Sequence, residues 1–230
     1  MCGRLGRPDM TWAELYALQN WIVNGVPIAT KRDPNAKDLT MSWNVKPTQM
    51  LDMAFIQDDR LISSTARWWL VPHWFKEDVK QWKPTTFNAK IETANKLGSF
   101  GVAWKSSRCI IPASFYYEWT GTKGAKQPWV IKADTNDPCM YFAGLYSRLT
   151  SGLNTCTILT RPALHQIEHI HARSPVILTN ENLVPWMAGE IDHDEAQDLG
   201  TEWDGRMRYH KVAPIGRDDD GPELIEEFVE

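Results

Sequence analysis

Residues Arg108 to Trp119 constrain the fold more than any other stretch. The run Cys109-Ile110-Ile111-Pro112-Ala113-Ser114-Phe115-Tyr116-Tyr117-Glu118-Trp119 is almost wholly apolar, β-branched or aromatic. Such residues suit a pleated, packed surface, and the turn Gly121-Thr122-Lys123-Gly124 ends the run. Similar runs at Leu51 to Ile56 and Leu61 to Leu70 flank an Asp58-Asp59 turn, and Pro72 stops the second. Pro128 to Ala133, Met140 to Tyr146, Thr155 to Thr160, residues 174–178 and Arg208 to Val212 extend the strand pattern. Helices are expected near 12–24, where Thr11-Trp12-Ala13-Glu14 fits a capping box, and near 93–99, 162–169 and 180–188, the last with Asn180 as N-cap. No regular βαβ units occur and no repeat is visible. An α+β fold follows, with a mainly antiparallel core and helices at its edges.

At 230 residues and 43% hydrophobic the chain can bury one substantial core, expected over 1–217 with 218–230 as a tail. The net charge of −4 is unevenly spread: residues 1–189 carry 21 Lys and Arg against 15 Asp and Glu, and 190–230 carry 4 against 14. From Asp218 to Glu230 there are seven acids and no base, which reads as a solvated acidic tail. A mildly basic body is compatible with a phosphate backbone. Cys2, Cys109, Cys139 and Cys156 have no CxxC spacing and no basic-then-apolar leader precedes them, so a reducing, cytoplasmic setting is expected. No apolar run reaches the ~18–20 residues of a membrane span.

The chemistry-bearing residues are sparse. Trimming of Met1 would leave Cys2 with a free α-amine and a thiol on one residue, a 1,2-aminothiol. The amine (pKa ~7.7–8.0) and thiol (~8.5) both supply reactive forms near neutrality, and an aldehyde can be captured by the two in succession. The alternative is an accidental second residue on a frayed terminus. Glu118 ends an apolar strand, so it is either at a solvent edge or desolvated with a raised pKa and able to shuttle protons. His165 and His169, four apart, could share a helical face, but no HExxH motif or cysteine cluster accompanies them, and no metal or cofactor is expected. His171, just outside that helix, is either a general acid/base or a surface histidine. Asn44 and Asn88 sit beside turns and are turn-formers or positioning groups. Trp68, Trp69, His73, Trp74, Phe75 and Trp82 form either an aromatic core corner or a stacking loop for unpaired bases; the core reading suits Trp68 or Trp69, and the exposed one suits His73-Trp74-Phe75 after Pro72. GxSxG, P-loop and GxGxxG motifs are missing.

These pieces together resemble the SOS response-associated peptidase family, whose members shield abasic sites by crosslinking to them. The chain is similar to the family's Cys-Gly-Arg start at Cys2-Gly3-Arg4, its Tyr-Asn-Val-Ala-Pro at Trp43-Asn44-Val45-Lys46-Pro47, and its Trp-Gly-Leu-Ile/Val-Pro at Trp68-Trp69-Leu70-Val71-Pro72. Asn88-Ala89-Lys90-Ile91-Glu92-Thr93 resembles Asn-Ala-Arg-x-Glu-Thr, Tyr116-Tyr117-Glu118-Trp119 resembles Phe-Tyr-Glu-Trp, and His171-Ala172-Arg173-Ser174-Pro175 resembles His-x-Arg-Met-Pro. The resemblance implies a compact domain with a barrel-like β core, binding single-stranded DNA as a monomer, including at junctions with duplex. It implies that Cys2 forms a thiazolidine with the ring-opened abasic sugar, that Asn88 positions the sugar or amine, that Glu118 moves protons and that His171 assists ring opening. Arg4 and Lys90 would face phosphate, and Asn44, Arg173 and the aromatic residues would line the DNA.

Three departures from the family pattern bear on this. Lys90 keeps the charge of the family's arginine without its bidentate fork, Ser174 replaces an apolar methionine, and Lys46 could add a phosphate contact. Two other functions fit the same residues: an N-terminal-nucleophile cysteine peptidase or amidase, and a non-covalent single-strand binder.

Overall fold

The computed structural model describes residues 2–7, 22–23, 26–27, 29–122, 124–134, 139–199 and 205–229. Its strands are β1 (Leu5–Arg7), β2 (Ile22–Val23), β3 (Val26–Pro27), β4 (Ala29–Arg32), β5 (Ser42–Val45), β6 (Met50–Gln57), β7 (Arg60–Trp68) and β8 (Asn88–Lys90). They continue with β9 (Arg108–Ala113), β10 (Phe115–Thr122), β11 (Ala125–Ala133), β12 (Met140–Arg148), β13 (Asn154–Pro162), β14 (Arg173–Pro175) and β15 (Met207–Lys211). Pairing is mostly antiparallel and the helices among the described residues are few and short, as the α+β reading expects.

Two sheets organise the domain. One runs β15-β11-β10-β1-β5, and the other runs β14-β13-β12-β9-β6-β7-β4. The larger sheet returns on itself, because β13 also pairs parallel with β7 through Thr155↔Arg67 and Cys156↔Trp68. Strands β13, β12, β9, β6 and β7 therefore form a closed ring, and β8 lies parallel along β13 at Ile158↔Asn88.

Period-two alternation explains why both faces of the ring are apolar. Cys109, Ile111 and Ala113 of β9 pack with Leu51, Met53, Phe55, Phe142 and Ile158 on one side. Ile110 faces the other way, with Ala54, Tyr141, Ala143 and Leu145, toward the helices Gly101–Ser106 and Asn180–Ala188. There Trp104 meets Trp186 edge-on at 5.6 Å, and the Trp186 indole N–H donates to the Cys109 carbonyl at 3.0 Å. Truncating a fully buried indole of this kind costs about 3–5 kcal/mol.

The long run 108–119 is two strands. Ser114 separates β9 from β10, its N–H donating to the Gly6 carbonyl at 3.0 Å, so the chain leaves one sheet and enters the other at that residue. Gly6 has no alternative, since a Cβ there would fall within the Phe115 ring.

Several local expectations are corrected. Residues 93–99 form turns, and the helix begins later, at Gly101. Residues 163–172 are also non-helical: β13 extends to Pro162 to pair with β14, leaving this stretch as a connection closed by the Ala163 N–H on the Ala172 carbonyl at 3.0 Å. The N-cap of the helix Asn180–Ala188 is Thr179, and left-handed Gly189 closes its other end. Most of the expected 12–24 helix, with its capping box, lies outside the described residues; Ile22–Val23 belong to β2, which pairs with β3. The acidic segment after 217 docks on the body: Leu224 is buried beside Phe115, Tyr117 and Val212, and the Phe228 N–H donates to the Lys211 carbonyl.

Candidate functional site

Strand β1 lies between β10 and β5, with Leu5 opposite both Tyr116 and Val45, and the Tyr117 N–H donating to the Arg4 carbonyl at 3.0 Å. Pairing on both edges draws the residues just ahead of β1 inward. Cys2 has 0% exposure, so the frayed-terminus alternative is removed. Its carbonyl accepts from the Asn88 side-chain amide at 2.5 Å, and its thiol faces the Arg4 carbonyl at 3.7 Å. Burial, reinforced by the Glu118 charge, pushes the Cys2 thiol well above its ordinary pKa. The resting sulfur is therefore a thiol, which needs a proton acceptor to become a nucleophile.

Glu118 lies close enough for its charge to act on the Cys2 thiol. It sits on β10 opposite Trp129 and is 3% exposed, so the solvent-edge reading fails. Burial raises its pKa, while the His171 ring opposes the shift. His171 Nδ1 lies 3.9 Å from Glu118 Oε1, and it accepts from the Arg173 backbone N–H at 3.0 Å. The Arg173 carbonyl lies 3.0 Å from the same nitrogen, so the Arg173 backbone holds the ring in place. Cys2, Asn88, Glu118 and His171, far apart in sequence, thus come together through β1, β8, β10 and the lead into β14.

Tyr116 belongs to the same pocket and carries no signal of its own in the sequence. It shares a face of β10 with Glu118 by i, i+2 spacing, is 0% exposed, and its hydroxyl has no hydrogen-bond partner among the described residues. Burial, then the charges of Cys2 and Glu118, push its pKa well up. The same spacing rule, applied outward from Glu118, would have found it.

The residues assigned to DNA divide into groups. Lys90, His73 and Trp74 are exposed, and Trp74 packs edge-on against Trp82 at 5.6 Å. Trp69 is half-buried, its indole N–H donating to the Pro84 carbonyl at 2.9 Å. Trp68 is corrected: it is fully buried, with its indole N–H on the Phe87 carbonyl at 2.8 Å, and offers no face to a base. Arg173 is corrected as well. Its guanidinium forks onto both Glu92 oxygens and donates to the Thr160 carbonyl, tying β14 to the segment after β8 rather than reaching solvent.

Arg4, Asn44 and Lys46 lie together beneath the segment 215–220. Arg4 Nη1 donates to the Gly216 carbonyl at 3.2 Å while its guanidinium sits 5.3 Å from the Trp119 ring centre. Asn44, which is buried, donates to the Asp219 carbonyl at 2.6 Å, and Lys46 donates to the Arg217 carbonyl with Asp218 3.9 Å away. Asp220 accepts from the Ser42 hydroxyl and the Trp43 N–H. The acidic segment therefore already occupies donors that the sequence reading gave to phosphate.

His165 pairs with Glu168, and His169 stacks edge-on against Trp129 and Tyr209, so the two do not form a ligand pair. Among the described residues no group of three or more potential ligands converges on a metal-sized site.

Comparison with known proteins returns a consistent pattern. The family model described as SOS response associated peptidase (SRAP) matches residues 1–215. The abasic site processing protein YoqW of Bacillus subtilis is 36% identical over 197 residues, covering 80% of this chain and 85% of that protein. The abasic site processing protein YedK of Escherichia coli is 27% identical over 98% of this chain and 99% of that one. The mouse abasic site processing protein HMCES is 30% identical over 68% of this chain and 53% of its own length. A crystal structure of a protein from Bacteroides thetaiotaomicron superposes with a TM-score of 0.78 at 19% identity, covering 99% of this chain and all of that one.

Proposed function

This chain belongs to the SOS response associated peptidase family, and from that membership together with the Cys2 pocket we propose that it processes abasic sites in DNA by becoming covalently attached to them. The observation that carries the reading is the burial of Cys2 among Asn88, Glu118 and His171, a catalytic-looking set assembled around the start of the chain. The relatives named as abasic site processing proteins supply the substrate class.

The proposed reaction begins once Met1 is removed and Cys2 carries a free amine. The His171 ring, 31% exposed on its side chain, is the open side of the pocket and assists opening of the abasic sugar to its aldehyde. The Cys2 amine adds to the aldehyde carbon and water leaves, giving an imine. The thiol loses its proton to Glu118, sulfur bonds to the imine carbon, and a proton returns to nitrogen, closing a five-membered thiazolidine. One water is lost overall and no oxidant is required. Asn88 anchors the Cys2 carbonyl so that amine and thiol stay aligned, and well-oriented intramolecular closures of this sort reach effective molarities of ~10⁵–10⁸ M.

Single-stranded DNA is the proposed partner of a monomer, with exposed Lys90 and Trp74 giving a salt-sensitive, sequence-independent affinity. Intact-mass spectrometry with an abasic oligonucleotide tests the mechanism. The protein should lack Met1 and gain the strand's mass less one water; Cys2→Ala, or one extra residue ahead of Cys2, should gain nothing. Equal adduct from the blocked protein would remove the thiazolidine. A thioester that turns over, with no persistent adduct, would favour the amidase.

A further inference from the structure

Away from the Cys2 pocket, two adjoining cavities of about 380 and 530 Å³ share Phe55, Gln57 and Arg148 as common walls. The first also takes in His73 and Ser147, and the second Lys31, Arg32 and Arg60. Together they make one groove across the end of the strand ring where β12 meets β13, at Arg148↔Asn154.

The groove's lining is net basic, with Lys31, Arg32, Arg60 and Arg148 against Asp33 and Asp58. Arg148 is held by buried Asp33, which also accepts from Ser64 and Asn154, so that carboxylate is fully engaged inside the wall. Arg32 reaches out to the exposed Asp38. Lys31 and Arg60, both exposed, make no ion pair among the described residues, and Asp58 is the one further acid on the lining. Ser147 is a second and independent signal: its hydroxyl is buried on the groove wall and has no hydrogen-bond partner among the described residues. An unpaired buried hydroxyl costs about 1–3 kcal/mol, and a phosphate oxygen would satisfy it.

The groove is connected to the reactive pocket by the aromatic loop. That loop leaves β7 beside Cys156, carries His73 into the groove, and returns to β8 at Asn88 beside Ile158. Its base is pinned where the Val71 N–H donates to Thr155 Oγ1 at 2.9 Å. Along β13, Asn154 is four residues from Ile158, or about 13 Å at ~3.3 Å per residue. Trp74 and Trp82 lie on this loop, so aromatic and cationic side chains alternate along the way, the combination that holds unpaired strands.

We propose that the groove walled by Lys31, Arg60, Ser147 and Arg148 is a track for the backbone of the DNA strand leading away from the abasic site. The inference rests on the reading of this protein as a DNA binder and adds where the flanking phosphates go. It separates two functions in space, capture at Cys2 and strand-holding toward the Asn154 end of β13.

Fluorescence anisotropy with unmodified single strands of about 5 and about 16 nucleotides tests the track without involving the chemistry. The variant carries Lys31→Glu and Arg60→Glu, both at exposed positions, and thermal melting checks its fold. The long strand should bind about tenfold more weakly, and its salt slope should fall by about 1.4, at ~0.7 for each lost phosphate contact. The short strand should bind unchanged, and adduct formation on a short abasic strand should continue at the parent rate. Ser147→Ala, which removes the hydroxyl and adds no bulk, should weaken the long strand alone. Equal long-strand affinity and salt slope in parent and charge-reversed protein would overturn the track. Loss of adduct from the parent protein, with the long-strand effect intact, would overturn the covalent reading and leave the track standing.

Discussion

The side-chain amide of Asn88 donates to the main-chain carbonyl of Cys2 at 2.5 Å across a sequence separation of 86, fastening the start of the chain to a strand in the middle of it. A single side chain thereby adds to the β1 pairing that holds Cys2 in place. Asn88→Ala should lower stability by about 1 kcal/mol, the usual worth of one hydrogen bond, as read by urea denaturation. Adduct formation should slow by far more than the ~5-fold this energy represents, because alignment is lost as well. A rate that falls only in step with stability would reduce Asn88 to a structural tether.

Glu118 gives the site its pH dependence. Burial raises its folded-state pKa above the ordinary ~4.3, so protonated Glu118 is the form the fold prefers. Its favourable contribution is complete below ~pH 4.3 and is lost as pH rises through the folded value. Glu118→Gln, which mimics the protonated form, should therefore melt higher than the parent at neutral pH, with the difference vanishing toward pH 4. The same variant should form adduct more slowly, and the parent's rate should rise as Glu118 ionises while the variant's stays flat across that range. A variant with the parent's rate profile would take Glu118 out of the proton transfers.

Arg173 and Glu92 couple the two segments that carry His171 and Asn88. The fork between them holds Glu92 below its ordinary pKa, first through the hydrogen bonds from Arg173. Stability from this pair is present above ~pH 4.3 and lost as pH falls through the depressed value. With the Glu92 side chain 37% exposed, solvent screening limits the effect. Arg173→Ala should cost about 1–3 kcal/mol, and a double-mutant cycle with Glu92→Gln should show coupling that disappears in acid. Additive single variants at neutral pH would mean the fork contributes nothing as a pair.

Gly6 is where the N-terminal strand crosses closest to its neighbour, and a methyl group there meets the Phe115 ring. Gly6→Ala should destabilise by about 1–3 kcal/mol through overpacking. Combining it with Phe115→Leu should restore part of that loss, which chemical denaturation of the pair against each single variant will measure.

Much of the strand framework was legible because side-chain alternation is a local property. The runs at 51–56, 128–133, 140–146 and 155–160 all lie within observed strands, and the run at 61–70 forms a strand as far as Trp68. The helical expectation near 162–169 failed because propensity there was overridden by pairing: β14 takes its hydrogen bonds from β13, and the intervening chain can only turn; residues 93–99 close local turns before the helix starts at Gly101. Trp68 and Arg173 were misassigned to a surface for a related reason. An indole or guanidinium has the same formula whether it faces a nucleotide or a buried carbonyl, and only the fold says which.

Sequence by itself determined the kinds of groups present: a cysteine at position 2, a carboxylate within an apolar strand, a histidine before a proline turn, and a basic body with an acidic end. Tertiary structure decided what those groups do to one another. It inserted β1 between β10 and β5, burying Cys2 against Glu118, and laid residues 215–220 over Arg4, Asn44 and Lys46. The physical reason is that desolvation and hydrogen-bond partnership depend on neighbours distant along the chain. Alternation along a strand, by contrast, depends only on the residue two places away.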